Sequence, residues 1–112
     1  MKFSFGKLFH EFPNLTLQTT AQVQTLLASL MKLNAKATAI ACVQPPITGF
    51  VGEALTTTVT AASTAMHSLN EMLAENYFDS EGVQKAANAL NELTNLLATP
   101  EAVNALQKLG MA

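Results

Sequence analysis

His67, Glu71 and Glu75 recur every four residues. On a helix this spacing stacks the three side chains on one side, and an imidazole with two carboxylates is a donor set for a divalent metal. The apolar residues around them argue for a plainer role. Met66, Leu69 and Leu73 mark the stripe that a helix here would bury, which turns the histidine and both glutamates toward solvent. No metal site is expected, and nothing in the spacing brings His10, the other histidine, to the same place.

Cys42 is the single cysteine, so an internal disulfide is ruled out. It lies in the run Ala39-Ile40-Ala41-Cys42-Val43 and reads as a small apolar core residue. A reactive thiol would need a cationic neighbour or a helix N-terminus. Serine and threonine are plentiful, yet there is no GxSxG elbow, phosphate loop or paired-cysteine motif. The five glycines, at 6, 49, 52, 82 and 110, are dispersed, and Gly49-x-x-Gly52 is too short for a nucleotide signature. No catalytic or cofactor-binding residue is assigned, and an enzyme is not expected.

Composition points the same way. The chain has 112 residues, of which 49% are hydrophobic and only 12% charged, with a net charge of −2. Soluble domains carry about a quarter charged residues. Here Thr, Asn, Gln, Ser and Ala stand in for the missing charge. There is no Arg and no Trp, and the six lysines are scattered at 2, 7, 32, 36, 85 and 108. Direct nucleic-acid binding, which needs clustered cations, is therefore not expected. A weakly charged surface is expected to be covered in part by a partner.

Four elements have to arrange these residues. Val23, Leu26, Leu30, Leu33, Ala37 and Ile40 step by three and four, a heptad series on a helix from about residue 16 to 43. Thr19 and Gln22 have capping-box spacing. Gln44-Pro45-Pro46 ends this helix. The loop that follows holds Ile47, Phe50 and Val51 and is expected to fold back on the bundle end. A second helix runs from about Gly52 to Tyr77 on Leu55, Val59, Ala62, Met66, Leu69 and Leu73. Its weak stretch is the β-branched run at 56–60. Threonine hydroxyls there can bond back to the carbonyl four residues earlier.

Asp79 or Ser80 caps a third helix, about 80–98, with Val83, Ala86, Ala87, Leu90, Leu93 and Leu97 on one face. Thr99-Pro100-Glu101 starts a fourth, carrying Val103, Leu106 and Leu109 and stopped by Gly110. The short link between the second and third helices favours antiparallel neighbours. The expected fold is all-α: an antiparallel helical bundle on a long helical hairpin with shorter C-terminal helices, spanning residues 14–112.

Residues 1–13 form a separate aromatic N-terminal arm, set off by Pro13. Phe3, Phe5, Phe9 and Phe12 are four of the six phenylalanines. Phe5, Leu8, Phe9 and Phe12 fall on one side at helical spacing, with Lys7 and Glu11 elsewhere. Burying one ring gives roughly 1.5–3 kcal/mol, against ordering costs of about 1–2 kcal/mol per residue. Three destinations fit: the chain's own bundle, a neighbouring subunit, or a membrane interface. Two lysines opposed by Glu11 weaken the last. Gly6, Lys7, His10 and Glu11 interrupt any signal-peptide core, and no segment reads as a transmembrane helix.

The sequence thus points to a structural or assembly subunit that forms homo-oligomers or joins other subunits. Phe3, Phe5, Leu8, Phe9 and Phe12 are its partner-binding residues, and no cofactor is expected. Small helical subunits of phage particles and secretion filaments share this general composition. The alternative is a membrane-active helical module. No compartment is assigned; virion and cytoplasm both fit.

Overall fold

The computed structural model describes residues 19–77 and 79–111. Four helices follow in order: α1 (Thr19–Ala41), α2 (Gly49–Glu75), α3 (Ser80–Leu97) and α4 (Pro100–Lys108). No strand occurs among the described residues. The protein is an antiparallel helical bundle. α1 and α2 form the long hairpin, and α3 packs along both. α4, only nine residues long, packs on α1 and α3. The body measures 46 × 24 × 23 Å, as expected of helices lying side by side along one axis.

The expected start of α1 near residue 16 and the flank of the Thr19 cap lie outside the described residues. Thr19 is already helical. α2 begins at Gly49 rather than Gly52 and ends at Glu75, where Asn76 takes the left-handed conformation (φ 53°) and donates its backbone N–H to the Met72 carbonyl. The expected caps of α3 and α4 are formed. Asp79 accepts from the Glu81 N–H at 3.1 Å, and Thr99 Oγ1 accepts from the Ala102 N–H at 3.3 Å with Pro100 in the first turn.

The core is one cluster drawn from all four helices. Leu26, Leu30, Ile40, Leu55, Leu69, Leu90 and Leu93 are its largest fully buried side chains, with Val23 beside them. On α1 five of the six expected stripe residues are buried, but Leu33 is half-buried and Asn34 takes the inward position. On α2 the stripe is turned by about one residue. Thr58, Ala65 and Met72 are buried where Val59, Met66 and Leu73 were expected, and those three are half-buried flanks. The reason is that α2 packs against both α1 and α3. Leu55, Thr58, Ala62, Ala65, Leu69 and Met72 form its buried line, with Val59, Met66 and Leu73 half-buried beside it. On α3, Leu96 replaces Leu97 in the core. On α4, Ala102, Ala105 and Leu106 are buried while Val103 and Leu109 are exposed.

The β-branched run in α2 stays helical because its hydroxyls are used locally. Thr56, Thr60 and Thr64 donate to the carbonyls of Gly52, Thr56 and Thr60 at 3.2, 3.1 and 3.2 Å. Thr58 points inward instead and donates to Glu92 Oε2 of α3 at 3.1 Å. Asn34 Nδ2 donates weakly to Ser63 Oγ of α2, at 3.4 Å, and Asn34 Oδ1 is buried without a partner. These two cross-helix contacts mark the levels at which α1, α2 and α3 meet.

Truncating a buried leucine removes apolar contact and leaves a void. Leu30→Ala is expected to cost about 2–5 kcal/mol in urea unfolding, and Leu33→Ala distinctly less. A larger loss at Leu33 would refute its half-buried place beside Asn34. Asn34→Leu replaces a poorly satisfied buried amide with hydrocarbon while Ser63 stays accessible to water. It should raise the urea midpoint with the slope unchanged; a lowered midpoint would mean that the amide contributes net stability.

Candidate functional site

The residues singled out for metal chemistry sit where the apolar stripe puts them. His67, Glu71 and Glu75 are all exposed on α2. His67 Nε2 lies 3.0 Å from Glu71 Oε1, an exposed pair one turn apart, and such surface pairs add little stability. Among the described residues, no group of three or more His, Cys, Asp or Glu side chains is placed to hold a metal ion.

Cys42 departs from expectation. Its apolar neighbours predict a core residue, but it is exposed. Ile40 is the last fully buried residue of α1, and the chain turns after Ala41, so Cys42 emerges on the surface at the bundle end.

That end carries the feature that the sequence only hinted at. A groove of about 580 Å³ opens between the α1–α2 connection and α4. Val43, Pro45 and Ile47 line it from the connection, and Ala105 and Leu109 from α4. Cys42 also lines it, and Glu101 and Lys108 are its charged lining residues. The volume falls within the roughly 300–1,000 Å³ typical of small-ligand sites.

The local sequence explains the groove. Pro45 and Pro46 carry the chain out of α1 and across the end of the bundle. Ile47 and Val51 then pack against the core, as expected of the folded-back loop, whereas Phe50 does not and is 82% exposed. Gly52 permits the fold-back, because a Cβ there would collide with the carbonyl of Ile47. α4 forms the opposite wall but is too short to cover it.

Apolar exposure concentrates at this end. Of the five large hydrophobic side chains exposed among the described residues, Phe50 stands beside the connection and Val103 and Leu109 lie on α4; the others are Met31 and Tyr77. A second groove of about 430 Å³ runs between α2 and α3, where Ala61, Ala65, Gly82 and Ala89 leave little side-chain bulk. No helix among the described residues is long and apolar enough to cross a membrane. Phe3, Phe5, Leu8, Phe9 and Phe12, the expected partner-binding residues, lie outside the described residues.

No protein-family model matches the chain, and neither the curated proteins nor the solved structures give a significant match.

Two measurements check this site. Cys42 should react stoichiometrically with a thiol reagent in the native protein, without denaturant; labelling that appears only on unfolding would contradict its exposure. Gly52→Ala should lower stability by roughly 1–3 kcal/mol, the range for overpacking, and its Cys42 should label at a changed rate. An unperturbed Gly52→Ala protein would show that the Ile47 carbonyl is not pressed against the helix.

Proposed function

We propose that this protein is a structural subunit that packs into a larger assembly of its own copies. Its apolar bundle end and aromatic N-terminal arm are the contact surfaces. The observation that carries the reading is the bundle end: Phe50 at 82% and Leu109 at 45% exposure, with a groove of mixed lining in which Val43, Pro45, Ile47 and Ala105 sit among Gln44, Thr48 and Asn104, on a chain with only 12% charged residues. Exposed apolar surface of this kind marks a site of association.

Association through the arm follows from the arithmetic of its side chains. Three or four rings at about 1.5–3 kcal/mol each give several kcal/mol of gross gain, which has to offset an ordering cost of about 1–2 kcal/mol per residue. Phe9→Asp places a carboxylate in the middle of that apolar side. In chemical cross-linking at fixed protein concentration, the wild type should yield multimers and Phe9→Asp chiefly monomers. Equal cross-linking of the two would remove the arm from the reading. Co-sedimentation with anionic vesicles that is lost in Phe9→Asp, without self-association of the wild type, would favour a membrane-interface role instead.

A further inference from the structure

We propose that the Phe5–Phe12 segment of one copy seats in the end groove of the next, so that the chain associates head to tail. This rests on the assembly reading above and names the seat of the arm.

The placement of the two parts carries it. The groove begins at Cys42, just past the C-terminal end of α1. The arm joins the bundle at Thr19, the opposite end of that helix. α1 has 23 residues, so at 1.5 Å per residue its ends stand about 33 Å apart. Phe12 is seven residues before Thr19, and seven extended residues reach at most about 25 Å. A chain cannot place Phe12 in its own groove. Phe9, ten residues away, would need every intervening residue fully stretched along the helix. Seating the four apolar side chains together requires another copy.

The chemistry of the two surfaces matches. Phe5, Leu8, Phe9 and Phe12 have the i, i+3, i+4, i+7 anchor spacing of helix-in-groove recognition. The groove offers Val43, Pro45, Ile47, Ala105 and Leu109 as apolar lining. Lys7 is the lysine and Glu11 the carboxylate of the segment, and the groove offers Lys108 and Glu101 in turn. Lys7 toward Glu101 and Glu11 toward Lys108 pair both charges in a single polarity; the reverse polarity opposes like charges. A contact between different surfaces at opposite ends is heterologous, so it builds rings or open filaments rather than a closed two-fold dimer.

Cys42 supplies the test, because it is the only cysteine and it lines the groove. In the full-length Leu8→Cys protein, mild oxidation should give a ladder of dimer, trimer and higher species on a non-reducing gel. Adding Cys42→Ser should collapse that ladder to an arm–arm dimer at most. An internally bridged monomer, or only dimers that persist without Cys42, would overturn the proposal. As an independent check, a Phe9→Asp/Phe12→Asp variant has a dead arm and an open groove, while Leu109→Asp has a live arm and a blocked groove. Each alone should be monomeric, with helical circular dichroism unchanged. Their equimolar mixture should form a one-to-one heterodimer and nothing larger. A mixture that stays monomeric, although the wild type self-associates, sinks the head-to-tail contact and leaves the assembly reading standing. A wild type that is itself monomeric sinks both.

Discussion

The three-way packing of α1, α2 and α3 is the contact on which every other feature depends. Leu26, Leu30, Leu55, Leu69, Leu90 and Leu93 are withdrawn from water together. No single pair of helices encloses them, because α2 and α3 each pack against both neighbours. Each such side chain gains roughly 1.5–3 kcal/mol on burial, and this has to offset the ordering of long helices that carry few stabilising charges. The packing also fixes the ends. Once Ile40 is held in the core, the chain has to leave the bundle at Cys42, cross its end and return at Val51. The nine-residue α4 folds against that end. The groove is what remains between a loop tied down by Ile47 and Val51 and a helix too short to close it.

Polar groups set the details within this frame. Thr58 is buried, yet its hydroxyl reaches the Glu92 carboxylate. Ala62 and Ala65 are buried with it on the same face of α2. Asn34 is less well served, with one 3.4 Å hydrogen bond and an unpaired buried oxygen. An amide at such a position costs stability relative to a hydrocarbon. The outward threonines Thr56, Thr60 and Thr64 of α2 need no neighbour, since each bonds to its own helix. That face is satisfied without charge, which accounts for a low-charge surface along the side of the bundle and leaves the end as its apolar part.

Much of this was legible in the sequence, for identifiable reasons. Helix identity followed from the three-four spacing of leucines and alanines, and the caps at Asp79 and Thr99 from local hydrogen-bond chemistry that tertiary contacts do not alter. What failed was the assignment of inward positions from apolarity alone. Val59, Met66 and Leu73 outrank Thr58, Ala65 and Met72 in bulk or apolarity, but α2 packs against two neighbours, and its inward direction is set by both contacts rather than by the most apolar line. Cys42 was misplaced because its neighbours are apolar, whereas the helix ends one residue before it. The groove was half visible. Ile47 and Val51 in a proline-bounded loop implied a fold-back, but its depth depends on how α4 meets that loop, a distant contact that spacing does not encode.

The central claim is that the exposed end and the aromatic arm satisfy one another between copies. Its most direct test is the solution mass of the full-length chain, followed by light scattering across a concentration series. The monomer is 11.9 kDa. The account predicts a weight-average mass that rises above this value with concentration and does not level off at a two-fold dimer. A mass that stays at the monomer value up to high concentration would contradict it.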